Sequence, residues 1–373
     1  MKFTIKKADI QDVLAKVQGL AGRKTNLAIT TNVLIRSEGS DIGITATDLE
    51  TGFEGYYPAT VETPGSIAIN AKKLFEIIKE FPSDDISVNE TENQWIEISN
   101  RNVEFHIMGM NPEEFPDSPV IEDVAFFEVD SGAFGDMIDK TIFVTGAGDD
   151  RRAHITGALM EILADQAPPL FRLVATDGSR LTKADCPLEN GATLPPLAAV
   201  IVPKKGLSEI AKFLEPGGNV QLGVKNNNFI VKKANEVIIV RLLEGDFPKY
   251  QDIIVKPENT FDIALPKTAF LKTLRRMSIL SSENYKGVIF KFDRDRLEIR
   301  ANNPELGESK EDLPITFSGD VIEGAFNPRY FIETLGVIEA DDVVLHIVDG
   351  ERPCLLKGAE DQSFLSVIMP MRI

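Results

Sequence analysis

The chain repeats itself at the spacing of a domain, and this limits its fold more than any other feature. Three segments share one shape: FTIKKADIQDVLAKVQGL from Phe3, FEVDSGAFGDMIDKTIFVTG from Phe127 and FDIALPKTAFLKTLRRMSIL from Phe261. Each reads as a short alternating strand, a small or polar residue, then apolar residues at helical spacing: Ile10, Val13, Leu14 and Val17; Phe134, Met137 and Ile138; Phe270, Leu274 and Met277. The starts lie too far apart for a solenoid and suitably apart for domains. A second shared piece follows in each unit, at SIAINAKKLFEIIKEFPSDDISV, AAVIVPKKGLSEIAKFLEPGGNVQL and VIEGAFNPRYFIETLGVIEADDVVLHI. Each reads as strand, helix, turn, strand. Its helix faces are Leu74, Ile77, Ile78 and Phe81; Leu207, Ile210, Ala211 and Leu214; and Phe331, Leu335 and Ile338. Pro203 and Pro328 are expected just inside their helix starts, where a missing N–H costs nothing.

The third correspondence is a turn. GITATDLETGFEG, LVATDGSRLTKAD and EIRANNPELGESKED place Asp48, Asp177 and Asn302 between strand-like stretches, where Asx side chains bond their own backbone. The first two units close alike, with PEEFPDSPVIED and EGDFPKYQDIIV, and the third runs to MPMRI. The reading is α+β: three copies of one domain, at 1–122, 127–253 and 261–373, with linkers near 116–126 and 247–260. Each copy has two helices on one side of many short antiparallel strands. A length of 373 residues, 43 % apolar and 26 % charged, is ordinary for globular domains of this number.

Several chemistries are missing. No GxxxxGK[ST] loop is present, and no GxGxxG opens a helix. GAGDD at 146–150 ends in two carboxylates that would repel a phosphate. His106, His154 and His346 fall one per unit, away from ligand spacing. Asp48 and Asp177 occupy equivalent positions in separate domains, so they read as turn residues rather than a catalytic couple. Ser179 lacks a GxSxG elbow. Cys186 and Cys354 form no CxxC pattern, which fits a reducing cytoplasm and gives no zinc site. MKFTIKKADIQ lacks the apolar run of a secretory signal, and no window reaches ~18 consecutive apolar residues. The expectation is a cytoplasmic protein with no catalytic residues, no cofactor and no metal. A triplicated acidic hydrolase or carbohydrate-binding protein, using its acidic loops with a divalent cation, stays open as the alternative.

Charge is unevenly placed. The formal net charge is −18, which argues against a chain that coats nucleic acid or anionic membrane with its whole surface. The predicted helices, at 8–24, 71–81, 131–143, 203–214, 266–277 and 327–338, are nevertheless net basic as a set. Lys72 with Lys73, and Lys204 with Lys205, sit at the same point of equivalent helices. Arg23 and Lys24 follow the first helix, Tyr285 and Lys286 follow the fifth, and Asn327, Arg329 and Tyr330 open the sixth. On any one helix this is solvated surface. Recurrence on an acidic body suggests helices facing one positive space, which attracts a polyanion by its backbone.

VATDGSRL at 174–181, DFP at 246–248 and VIMPMRI at 367–373, in this order within three repeats, resemble the bacterial sliding clamp family, the beta subunit of DNA polymerase III. The resemblance covers essentially the whole chain. It implies a head-to-tail homodimer closed into a six-domain ring, with helices lining a hole through which duplex DNA slides without sequence preference. The implied partners are the replicative polymerase, the clamp loader and other proteins with clamp-binding peptides. The residues above become expected DNA contacts. It also implies a partner-peptide groove. One wall matches Arg152, His154, Ile155, Thr156 and Gly157; Thr176, Gly178, Ser179, Arg180 and Leu181 follow, with Pro248 and Ile253 from the linker. Val367, Met369, Pro370, Met371, Arg372 and Ile373 complete it, with Met371 expected as a mobile gate. Methionine and aliphatic side chains suit a pocket that accepts several short peptides. His154, Ser179 and Asp252 depart from residues common in relatives and leave the preferred peptide motif open. VEFHIMG at 103–109 matches the subunit-edge strand, with Phe105 expected against Ile279 and Leu280, and with Glu104 where a basic residue would help.

Overall fold

The computed structural model describes residues 1–21, 27–119, 121–146, 152–188, 199–214, 217–281 and 287–372. Among them one order of elements occurs three times: strand, helix, four strands, helix, three strands. The helices are α1 (Lys7–Ala21), α2 (Ala71–Glu80), α3 (Ser131–Ile142), α4 (Lys204–Phe213), α5 (Lys267–Met277) and α6 (Pro328–Val337). Their apolar faces are the expected ones: Ile10, Val13, Leu14, Val17, Phe134, Ile138, Phe270 and Leu274 are buried. On α4 the buried aromatic is Phe213, while Leu214 beside it stays half-exposed. Asn70 caps α2 by accepting from the Lys73 N–H at 2.9 Å. Asn327 caps α6 by accepting from the Arg329 N–H at 3.1 Å, and Pro328 takes the first helical position. Pro203 departs from expectation. It is the last strand residue, paired with Gly157, and α4 starts one residue later.

The chain divides into two units. Among the described residues, one comprises those of Met1–Gly132 and Lys205–Leu242; the other comprises those of Ala133–Gly191, Ala198–Lys204 and Leu243–Ile373. In the first, a sheet runs from an edge at Glu104–Met108 through Lys2–Lys6 to Thr51–Thr63, and on through Glu236–Arg241 to Phe126–Asp130. Strands of the first two repeats thus share one ladder, with Gly52 opposite Ile239 and Phe53 opposite Ile238. Tyr57 fastens the join by donating to Glu236 Oε1 at 2.5 Å, and Lys16 approaches the same carboxylate at 3.2 Å.

In the second unit Arg180–Pro187 pairs with Phe364–Ile368, with Leu181 opposite Val367 and Thr182 opposite Ser366, so the second and third repeats also share a ladder. A separate sheet orders Gly307–Pro314, Arg296–Asn303, Val288–Asp293 and Ile322–Phe326, leaving Gly307–Pro314 at its edge. Its core is aromatic. Phe290 lies 5.1 Å from Phe331 and 5.3 Å from Phe326 between ring centroids, and Phe270 meets Phe331 at 6.0 Å. No helix among the described residues is long and apolar enough to cross a membrane.

The repeated turn has one construction. Asp48 Oδ1 accepts from the N–H groups of Glu50 and Thr51 at 3.1 and 2.8 Å, and Asp177 Oδ1 from those of Ser179 and Arg180 at 2.9 and 3.0 Å. In the third repeat this role belongs to Asn303, not Asn302: its Oδ1 accepts from Glu305 and Leu306 at 3.0 and 3.3 Å. The ladder also closes differently there. Thr47 pairs with Gly52 and Thr176 with Leu181, five positions on, whereas the third ladder continues one pair past Asn302 and Glu308 and closes at Asn303 with Gly307, four positions on. Phe290→Ala would empty the centre of the ring cluster and cost about 3–5 kcal/mol of third-repeat stability. A guanidinium unfolding titration that follows this transition apart from the others checks the value.

Candidate functional site

The predicted peptide-groove residues lie within the second unit, round the Asp177 turn. Thr176 Oγ1 donates to the Arg180 carbonyl at 2.7 Å and accepts from the Gly178 N–H at 3.0 Å, so the turn is held from both ends. Gly178 sits at φ +89°, and a Cβ there would lie 2.9 Å from Arg152 Nη1. The backbone conformation calls for glycine, whereas the exposed Arg152 side chain could move aside. The tail runs along this turn. Leu181 faces Val367 in the ladder, and the Met369 N–H donates to the Ser179 carbonyl at 3.0 Å. The Met371 N–H then donates to the Ala325 carbonyl at 2.7 Å. The expected gate therefore has a fixed backbone, and only its side chain is left to move. Arg372 is exposed, and Ile373 lies outside the described residues.

Beneath the turn, Leu181 and Val367 belong to one apolar cluster with Leu159, Val174, Leu355 and Tyr250. The linker supplies its cover. Leu243, Phe247 and Ile254 pack on the cluster, and Phe247 meets Tyr250 edge-on at 6.4 Å. The Tyr250 hydroxyl donates to Glu161 and receives Arg172 Nη1 at 3.4 Å. Burial, reinforced by Glu161 and opposed by Arg172, pushes this phenol up to about 12. Pro248 and Ile253 are carried on this anchored segment and remain exposed. The third wall is the short helical turn Ala153–Ile155, closed by the Ile155 carbonyl accepting from the Gly146 N–H at 2.7 Å. Ile155 is buried there, while His154 and Thr156 are half-buried. Gly157 follows, so tight against the Val202 carbonyl that a Cβ would lie 2.3 Å from it. Sequence reasoning missed Val174, Leu243, Phe247 and Tyr250; the one cue was two aromatic residues inside a linker.

Arg180 corrects the expectation most clearly. It is buried rather than presented to a ligand. Its Nε meets Asp177 Oδ2 at 3.0 Å, its Nη1 meets Glu333 Oε2 at 2.6 Å, and its guanidinium lies 4.4 Å from the Tyr330 ring centre. Burial would raise the Glu333 carboxyl, but hydrogen bonds from Arg329 and Arg180 outweigh it and hold that group below the usual carboxylate range. Arg180 is thus a brace between the second and third repeats, and Tyr330 is part of it.

Lys72, Lys73 and Lys204 are exposed at the starts of α2 and α4. Lys73 pairs with Glu76 at 2.8 Å. Lys205 is half-buried and clamped by Asp48 Oδ2 at 2.7 Å and Glu50 Oε2 at 2.8 Å, so much of its charge is neutralised on the spot. Burial alone would lower the Lys205 ammonium, but hydrogen bonds to Asp48 and Glu50 raise it. Arg329 is exposed and pairs with Glu333 at 2.6 Å. Asn327 spends its side chain on its helix cap. Arg23, Lys24, Tyr285 and Lys286 lie outside the described residues.

At the edge strand, Phe105 is 39 % exposed and reaches the Phe81 ring at 6.4 Å, while Ile279 is 73 % exposed and Leu280 is packed partly into the third-repeat core. Glu97, Glu104 and His106 gather ligand atoms within 4.8 Å on this exposed sheet. The other histidines stand apart. His346 is buried against Asp262 at 2.7 Å, and His154 lies by the groove.

Comparison with known proteins accounts for nearly the whole chain. Residues 1–119, 128–249 and 255–372 match, in order, the N-terminal, central and C-terminal domains of the DNA polymerase III beta subunit. The beta sliding clamp of Escherichia coli (strain K12) is 30 % identical over 381 aligned residues, covering 100 % of each chain. That of Chlamydia pneumoniae is 27 % identical, covering 100 % of this chain and 99 % of its own. The crystal structure of the DNA polymerase III subunit beta from Pseudomonas aeruginosa superposes with a TM-score of 0.93 at 28 % identity, covering 100 % of both chains. With this likeness in sequence, domain order and fold, the chain belongs to the DNA polymerase III beta subunit, or beta sliding clamp, family of non-catalytic processivity factors.

Proposed function

We propose that two copies of this chain, each with domains at 1–122, 127–253 and 261–373, join head to tail into a ring round duplex DNA, and that the surface round the Asp177 turn holds partner peptides. DNA and a polymerase are the partners that the family implies. One observation carries the assembly. The first repeat pairs with the second through Thr51–Thr63 and Glu236–Arg241, and the second with the third through Arg180–Pro187 and Phe364–Ile368. The same rule leaves Glu104–Met108 and Gly307–Pro314 at the ends of their sheets. Bare strand edges with exposed apolar side chains invite pairing with another chain, and head-to-tail pairing of two copies closes when the rotation permits. Phe105 on one edge and Ile279 beside the other supply the apolar contact.

Lys72, Lys73 and Lys204 provide phosphate contacts that set position and salt dependence and carry no base code. Lys205, with its two carboxylate partners, contributes less than its sequence position suggests. In the peptide surface, Ile155, Leu181 and Val367 form the floor, Pro248 and Ile253 the linker wall, and Met369 and Met371 the adaptable side. Arg152 remains at the rim. Arg180 acts beneath the site by holding the turn in place.

Three outcomes test these assignments. Ile279→Asp should give monomers with unchanged circular dichroism, because an apolar edge does not accommodate an unpaired charge. Sedimentation of an intact dimer at micromolar concentration would remove this edge from the boundary. Changing Lys72, Lys73 and Lys204 together to Glu should lower retention on closed circular DNA and reduce its salt slope, with little effect of sequence. Unchanged retention across salt concentrations would make these lysines ordinary surface. Deleting 369–373 removes two methionines, each contributing ~1.5–3 kcal/mol when buried, so affinity for a labelled polymerase C-terminal peptide should fall at least about tenfold. The dimer should persist in that variant; equal peptide affinity would remove the tail from the site.

A further inference from the structure

The two junctions inside the chain share one construction, and only the second has been given a ligand above. There Thr176 brackets the turn, Leu181 faces Val367, and the Met369 N–H donates to the Ser179 carbonyl. At the first junction Thr47 Oγ1 donates to the Thr51 carbonyl at 3.1 Å and accepts from the Leu49 N–H at 3.0 Å. Gly52 faces Ile239, and the Arg241 N–H donates to the Glu50 carbonyl at 2.8 Å. The linkers agree as well. Phe115 packs with Leu34, Ala68 and Met110 as Phe247 packs with Leu159, Ile201 and Leu243. A proline follows each of these aromatic residues, Pro116 in one linker and Pro248 in the other.

The first junction thus has the frame of the proposed peptide surface with other side chains in it, and the frame holds a cleft of about 330 Å³. Gly52 stands in the place of Leu181, and a Cβ on it would meet nothing within 4 Å. Directly paired residues share a face of the sheet, so the open space over Gly52 adjoins the Ile239 side chain. Two residues on, Arg241 stands in the place of Met369 on the same face, with Asn228 as its ladder partner. Leu49 stands in the place of Gly178. It is held at φ +77°, a conformation disfavoured for any residue but glycine, and is 49 % exposed at the rim. Charge narrows the ligand further. Glu50 is engaged by Lys205 at 2.8 Å, whereas Arg241 is exposed and has no ion-pair partner among the described residues. Asp117, the other acid of the lining, disfavours a second negative charge.

We propose that this cleft is a second peptide site, for a segment that carries one aliphatic side chain and one carboxylate. The aliphatic group lies over Gly52 against Ile239 and Leu49, and the carboxylate takes the Arg241 guanidinium, whose paired N–H groups match its two oxygens. The proposal rests on the peptide surface described above for the kind of ligand that such a frame accepts. The two sites differ in what they select: methionines beside Leu181 suit apolar anchors, whereas a guanidinium beside bare backbone suits a mixed pair. A volume near the lower end of ligand sites, roughly 300–1,000 Å³, admits two neighbouring side chains and no longer motif. Alone such a contact is weak; as part of a partner that is already bound it gains from the tether.

The test is a methyl NMR titration of the full chain, labelled at isoleucine and leucine, with the capped pentapeptide Gly-Leu-Asp-Leu-Gly. The Ile239 and Leu49 methyl signals should shift saturably at millimolar peptide, and the counterpart with Asn for Asp should bind at least about threefold more weakly. Arg241→Gln should erase that difference. Gly52→Leu, which places a side chain in the open space, should abolish the response of Ile239. Arg241→Gln is an exposed change and keeps the test decisive if Gly52→Leu loosens the ladder. A labelled polymerase C-terminal peptide, followed at Leu181, runs alongside. A response at Leu181 to that peptide, with Ile239 silent to the pentapeptide, overturns the second site and leaves the peptide surface standing; silence at both overturns both. Equal binding of the Asp and Asn peptides overturns the assignment of Arg241, and an unaltered Ile239 response in a folded Gly52→Leu variant overturns the cleft as the place of binding.

Discussion

Backbone ladders across repeat boundaries are the interaction on which the rest depends. Where Gly52 faces Ile239, and where Leu181 faces Val367, N–H and C=O groups of one repeat are satisfied by the next. A buried peptide group left unpaired is costly, so neither junction can loosen without exposing or orphaning a row of them. The side chains then reinforce a placement the ladder has already made: Tyr57 on Glu236 at one junction, and Arg180 on Glu333 and Tyr330 at the other.

The proposed peptide surface is a by-product of the second junction. The strand that pairs with Arg180–Pro187 continues directly into the tail, so the Met369 N–H comes to rest on the Ser179 carbonyl. The linker that must cross the same junction is drawn down by Phe247, Tyr250 and Ile254, which bury against the cluster under the turn. Turn, tail and linker are brought together by connectivity, and the apolar floor they share is the core of the joint. A peptide bound as proposed would read a structure that the chain needs for its own cohesion.

The helices and their buried faces were readable because a period of 3.6 is local: Ile10, Val13 and Leu14 announce a face whatever lies opposite. The two turn aspartates were readable for the same reason, since the bonds of an Asx turn span three residues. What escaped was set at long range or by one residue of slack. The third ladder closes at Asn303 and Gly307, and the capping role falls to Asn303 rather than Asn302. Pro203 belongs to a strand because Gly157, far along the chain, pairs with it. Arg180 looked like a ligand group because its acidic partner, Glu333, is in another repeat. Tyr250 was invisible as a structural anchor because Glu161 and Arg172 lie in strands well before it. The family resemblance supplied the groove residues as a set, but it could not tell which side chains face a ligand and which hold the scaffold.

The basic helices carry their own counterweights. Lys205 lies between Asp48 and Glu50, Lys73 beside Glu76, Arg329 beside Glu333, and Arg276 against Glu311 at 2.7 Å. A bare cation is a deep, narrow well for a passing phosphate, and a row of such wells makes a corrugated track on which a polyanion sticks. A cation with a carboxylate within 3 Å presents a weaker field that is spread over a dipole. If the proposed ring holds its cargo by enclosure and has to let it pass, shallow corrugation matters more than strong attraction. In that proposed ring the acids that seem to waste the positive charge would act instead as a lubricant.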